Sequence, residues 1–167
     1  VRFTGKLKKG VTAKDMILAA IGKMGTAGGT GYVIEYTGGP IKNLDMAGRM
    51  TVCNMTIEGG ARAGLVAPDQ TTFDYIQGRP HAPVGDTWDA ALEAWRDLPS
   101  DDGARFDTEI QLDGGAFEPH VTWGVTPAQS VAIGGQVPDP ESIDERVARE
   151  TAERALRYMD LEPATRI

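Results

Sequence analysis

The residues of this 167-residue sequence best placed to do chemistry lie in one short run, Thr51-Val52-Cys53-Asn54-Met55-Thr56-Ile57-Glu58. Asn54 and Glu58 are four apart, so a helix through the run sets them on one face. An amide beside a carboxylate suits general acid–base work, or the orienting of a group bound to a metal. Spacing alone makes such a pair an ordinary solvated one. Yet Asn54, Cys53, Thr56 and the following Gly59-Gly60 are poor helix formers, which points to a role for this stretch beyond local stability. Cys53 is the only cysteine, so it forms no intrachain disulfide and cannot by itself hold a zinc ion or an iron–sulfur cluster. The two histidines, His81 and His120, have no cysteine or carboxylate at ligand spacing. A zinc site or a histidine-activated nucleophile is therefore poorly supported, and both read as loop or surface residues.

A second candidate is Gly25-Thr26-Ala27-Gly28-Gly29-Thr30-Gly31. It has the look of a phosphate cradle but lacks the Gly-Lys-Ser/Thr ending of a P-loop. It also follows a helix and precedes a strand, the reverse of the dinucleotide arrangement. It reads instead as a tight helix-to-strand crossing that needs glycines.

The elements that must position these residues alternate along the chain. Val1–Leu7 reads as a strand, and Thr12 with Asp15 as the cap of a helix whose buried face is Met16, Ile17, Ala20, Ile21 and Met24. Tyr32–Thr37 reads as a strand stopped by Gly38-Gly39-Pro40. A second helix starts after Asn43 or Asp45 and runs to Ile57 or Glu58, and Ala63–Ala67 is a buried strand. A short helix runs from Thr71 or Thr72 through Ile76, and Gly78–Gly85 is a loop. Asp86 or Thr87 caps an amphipathic helix with Trp88, Ala91, Leu92 and Trp95 inward. Phe106–Leu112 and Pro119–Trp123 read as strands joined by a turn at Gly114-Gly115, and Thr126–Pro140 as irregular. Ser142 caps a last helix to Met159, with Val147, Thr151, Ala155 and Tyr158 as one face and charges at i,i+4 on the other. This order predicts an α/β fold: a core over residues 1–78, then a continuation over 79–167 holding the amphipathic helix, a β-hairpin and the C-terminal helix.

An apolar content of 41% and a charged content of 25% fit a globular chain. The net charge of −7 argues against nucleic acid as the main partner, because phosphate binding needs a basic footprint. No run approaches the ~18 apolar residues of a membrane span, and no segment reads as a signal peptide. A lone cysteine favours a reducing, cytoplasmic setting. The chain starts at Val1, on a strand, and stops at Ile167, just past a helix; both ends read as cut from something longer.

Three stretches together carry a resemblance. They are Gly10–Asp15 with Gly25–Gly31; Gly48–Glu58 with Gly64–Asp69; and Phe106-Asp107 through Pro119–Gly124 to Pro138–Pro140. In this order they resemble the large subunit of bacterial 3-isopropylmalate dehydratase, in the aconitase superfamily, over essentially the whole chain. The resemblance implies a three-layer α/β/α subdomain with a mixed sheet. It also implies a hydro-lyase of leucine biosynthesis that uses a [4Fe–4S] cluster as Lewis acid, a 2-hydroxy acid substrate and a separate small subunit as partner. Carried over residue by residue, Asn54 matches an asparagine beside the cluster. Glu58 matches the carboxylate that handles a proton at the substrate hydroxyl and bound water. Cys53 matches a cysteine near the cluster that is not one of its ligands. The family's Gly-Ser-Cys-Thr-Asn-Ser and Cys-x-x-Cys ligand motifs are absent here, so no metal ligand is expected in this chain, which is read as an internal piece inactive alone. Two other readings stay open: a homoaconitase or other 2-alkylmalate isomerase, and a non-catalytic α/β binding or assembly module.

Overall fold

The computed structural model describes all 167 residues. Its main sheet is built on parallel strands. β1 (Arg2–Thr4) pairs with β4 (Gln111–Asp113), and β2 (Val33–Glu35) pairs with β3 (Ala63–Leu65), both in parallel. A single parallel bridge between Arg2 and Thr37 joins the two pairs into the order β4-β1-β2-β3. Phe3 and Ile34 point to the buried side, while Arg2 and Val33 point outward. An antiparallel pair, β5 (His120–Thr122) with β6 (Ser130–Ala132), stands apart. Helices and short parallel and antiparallel sheets mix as an α/β fold, as the sequence order predicts.

Helix α1 (Ala13–Met24) forms where local signals agree. The Thr12 hydroxyl accepts from the Asp15 amide and the Asp15 carboxylate accepts from the Thr12 amide, a reciprocal capping box. Met16, Ile17, Ala20 and Ile21 are fully buried on its inner face. They meet Phe3, Tyr36, Ile41, Val52 and Phe117 in the main core, where the Phe3 and Phe117 rings sit edge to face at 5.9 Å.

Asp15 also reaches across the fold to accept from the His120 amide at 2.7 Å. Burial pushes its carboxyl up, but the amides of His120 and Thr12 and the Thr12 hydroxyl outweigh burial and hold it below the ordinary 3.8. A carboxyl held lower in the folded chain stabilises the fold above its unfolded value, and that stability is lost as pH falls through the folded one. Stability is therefore expected to drop as pH falls below 3.8. Asp15→Asn should flatten part of that acid limb and cost about 1–2 kcal/mol at pH 7. Urea melts across pH 2–7 check this; an acid limb of unchanged slope in the variant would contradict it.

Helix α2 is one short turn (Gly39–Lys42), set inside the segment that the sequence treats as a simple stop. Helix α3 (Met46–Met55) starts at Asp45, whose carboxylate accepts from Gly48 N at 2.8 Å. The α form ends at Met55 and tightens into a 3₁₀ turn over Thr56–Gly59, two to three residues short of the predicted α end. Helices α4 (Gln70–Ile76) and α5 (Asp86–Arg96) meet through Phe73 and Trp95, stacked at 6.2 Å, with Trp88 edge-on to Trp95 at 5.7 Å. Residue Gly85, not Asp86 or Thr87, occupies the N-cap of α5; the Thr87 hydroxyl instead donates to the Val84 carbonyl at 2.6 Å.

The second half departs further from expectation. The strand expected over Phe106–Leu112 is confined to Gln111–Asp113, and Phe106 is exposed. Gly114-Gly115 is no hairpin turn. It lies in a 3₁₀ turn (Gly114–Ala116) in which Asp113 accepts from Gly115 N at 2.9 Å, while β4 goes to β1. The hairpin is β5–β6, and β6 lies inside the segment read as irregular. Gln129 closes it: its side-chain oxygen accepts from Val125 N at 2.8 Å and Thr126 N at 3.2 Å, and its carbonyl accepts from Trp123 N at 2.8 Å. Helix α6 (Arg146–Met159) is capped by Glu145 and not Ser142, whose hydroxyl donates to the Asp139 carbonyl inside the preceding 3₁₀ turn. Its buried face is Ala152, Ala155 and Leu156, packed on Trp123 and Val137. Val147 and Tyr158, expected inward, are 56% and 78% exposed. Two alanines let α6 approach the indole closely, which a tyrosine would not.

Candidate active site

The α3–3₁₀ junction carries all three candidate residues. Asn54 lies in the last turn of α3 and is exposed; Glu58 lies in the 3₁₀ turn and is exposed; Cys53 is half-buried behind them. Neither Asn54 nor Glu58 takes any side-chain partner within the chain. A 3₁₀ turn advances about 120° per residue against about 100° in an α-helix, so Glu58 is rotated from the line that a continuous helix would give it. The pair flanks the junction between the two elements. Burial pushes the Cys53 thiol up, which disfavours the thiolate.

Three contacts hold the turn that bears Glu58. First, Thr56, two residues before it, is fully buried and lies 2.9 Å from both the Tyr36 hydroxyl and the Val52 carbonyl. Second, β3 presses on the same place: a Cβ on Gly64 would run into the Thr56 hydroxyl and come within 3.0 Å of Cys53 Cα. Third, the Gly25–Gly31 loop closes over the turn, with Gly29 N donating to the Gly59 carbonyl at 2.8 Å. Gly60 ends the turn at φ +83°, in the left-handed region that favours glycine. The loop is thus the tight crossing read from its sequence, and no phosphate cradle is needed to explain its glycines.

Farther back, Arg49 anchors the start of α3. It is 3% exposed and grips Asp69 through both terminal nitrogens, at 2.7 and 2.8 Å. It also donates to the Lys42 and Leu44 carbonyls. Asp69 in turn caps α4 by accepting from Thr71 N at 3.0 Å, and the Arg49 guanidinium holds its carboxyl below the usual carboxylate range. Arg49 and Asp69 stand 20 residues apart, so spacing offers no local signal for this pair.

His81 is exposed, at φ +69°, on the loop between α4 and α5. The His120 ring nitrogen Nδ1 lies 2.7 Å from the Glu118 carbonyl oxygen. Neither approaches the α3–3₁₀ junction by any hydrogen bond, and no cluster of three or more His, Cys, Asp or Glu residues could hold a metal ion. No helix is long and apolar enough to cross a membrane.

The arrangement can present a carboxylate from the 3₁₀ turn and an amide from the adjoining last turn of α3, with a thiol behind. Against known protein families, the model of the Aconitase family (aconitate hydratase) matches residues 1–167.

Proposed function

The chain belongs to the aconitase family, and on that footing we propose that it is part of the large subunit of 3-isopropylmalate dehydratase. In this reading the enzyme converts 2-isopropylmalate to 3-isopropylmalate by loss and return of water, in leucine biosynthesis, with a separate small subunit as partner. The observation that carries the site assignment is Glu58: an exposed carboxylate with no partner in the chain, on a turn fixed by buried contacts on both sides. A carboxylate so held is poised for a ligand and not for the fold. Glu58 handles the proton at the hydroxyl that leaves and the water that returns, and Asn54 beside it supplies an amide for hydrogen bonding. Cys53 stands behind as a neighbour and not as a ligand.

Aconitase-family hydro-lyases work with a [4Fe–4S] cluster, and the residues here do not fit one. Three thiolates are needed, and the chain has a single, half-buried cysteine. Cluster ligands therefore come from outside these 167 residues, and this chain contributes one wall of the site.

Turnover of the enzyme assembled with its small subunit, measured on 2-isopropylmalate, homocitrate and citrate, tests the substrate. The expected result is a kcat/KM for 2-isopropylmalate at least about 100-fold above the others. A preference for homocitrate or citrate would move the chain to another branch of the family.

A further inference from the structure

We propose that the Gly25–Gly31 loop is a positioning clamp for Glu58, with Gly29 as its critical residue. The proposal rests on the reading of Glu58 given above and assigns a role to the glycine motif that the reaction itself leaves unused. A methyl group on Gly29 would sit 2.9 Å from the Gly59 carbonyl oxygen and 2.9 Å from Ala61 Cβ, closer than real Cβ atoms come. One of those atoms is backbone, next in sequence to Glu58. On the other side of the interface, a methyl on Gly60 would sit 2.9 Å from both the Thr26 carbonyl oxygen and Thr30 Oγ1. Loop and turn therefore interlock with only hydrogen atoms between them, tied by the Gly29 amide on the Gly59 carbonyl at 2.8 Å. Crowding this seam moves the turn as a unit and carries Glu58 with it. Not every glycine near this core is so crowded, and one open position serves as a control. Gly22, in the middle of α1, has nothing within 4 Å of an added Cβ.

Gly29 is a positioning residue, because it touches the backbone beside Glu58 and not the substrate. Reacting groups displaced by a fraction of an ångström lose rate before they lose binding. In the assembled enzyme, Gly29→Ala is expected to lower kcat about 10-fold while KM stays within about 2-fold, and Gly22→Ala to leave both unchanged. Combining Gly29→Ala with Glu58→Gln should cost no more than Glu58→Gln alone, because the clamp acts through that carboxylate. Should the single variant fold poorly, Gly29→Ala with Ala61→Gly removes the contact with the Ala61 methyl and keeps the crowding on the Gly59 carbonyl and the Ala61 amide nitrogen, with the same kcat loss expected. Normal kcat in a folded Gly29 variant, or a Gly29 effect that persists in the Glu58→Gln background, overturns the clamp. Near-normal turnover of Glu58→Gln by itself overturns instead the reading of Glu58, so the two failures are told apart.

Discussion

Glu58→Gln in the assembled enzyme is expected to lower kcat at least about 100-fold, the scale of a lost acid–base group, while the protein folds and melts as before. The change removes a charge and a proton site but keeps size and hydrogen-bonding capacity. Stability should hold because Glu58 is exposed and bonds to nothing in the chain, so no buried partner is left unsatisfied. The turn that carries it keeps the Thr56–Tyr36 and Gly29–Gly59 bonds, neither of which involves the Glu58 side chain. The result to look for is a fall in kcat with circular dichroism and melting temperature unchanged. Turnover within a few-fold of normal would remove Glu58 from the chemistry.

The opposite profile is expected at Asp69. Asp69→Ala should destabilise the fold by about 3–4 kcal/mol, because it leaves a buried guanidinium without its carboxylate. The asymmetry of the pair decides the size: the Arg49 side chain is 3% exposed and that of Asp69 is 40% exposed. Removing the exposed member strands the buried one, which keeps only the Lys42 and Leu44 carbonyls and a weak Thr72 contact. The variant also loses the N-cap of α4, worth about 1 kcal/mol within that total. For a chain of this length that amounts to a fall of about 6–16 °C in melting temperature. Replacing both members by apolar residues, Arg49→Met with Asp69→Leu, should recover part of the loss, since no charge is then left in the core. Calorimetry on the two variants checks this; an Asp69→Ala protein that melts within 2 °C of the parent would show the ion pair to be idle.

The contrast between these sites explains which parts of the structure a reader of the sequence could find. The start of α1 was legible because its signals are local: Thr12 and Asp15 cap each other within one turn, and the apolar period follows at once. The glycine loop was legible as a close crossing, since clustered glycines without a Lys-Ser/Thr ending have few other uses. What the crossing presses against was not legible. Gly29 meets Gly59 across thirty residues, and nothing in the spacing announces that encounter. The same holds for Arg49 and Asp69, and for the Asp15 carboxylate that receives the His120 amide. The hairpin was misplaced for a related reason. Gly114-Gly115 satisfies turn chemistry, but β4 is drawn to β1 by a parallel pairing more than a hundred residues back, which frees β5 to pair with β6. In α6 the error was one of phase. Glu145 takes the cap three residues after Ser142, and the inward face turns to the alanines.

At the candidate site the sequence brings Asn54 and Glu58 close together, and their setting was not legible. Asn54 ends α3 and Glu58 sits in the 3₁₀ turn that follows, so they are neighbours across a junction and not partners on one continuous helix. The switch from α to 3₁₀ geometry between them follows from tertiary contacts: buried Thr56, the close approach of Gly64, and the loop over Gly59. No propensity scale contains those contacts.

In the role proposed for it, Glu58 handles the proton at the substrate hydroxyl. Incorporation of solvent ¹⁸O into the hydroxyl of 2-isopropylmalate, catalysed by the assembled enzyme, measures that step with substrate in place. For Glu58→Gln, ¹⁸O exchange and net isomerisation are expected to fall together, each at least about 100-fold, with substrate affinity nearly unchanged. Exchange at the normal rate in that variant would contradict it.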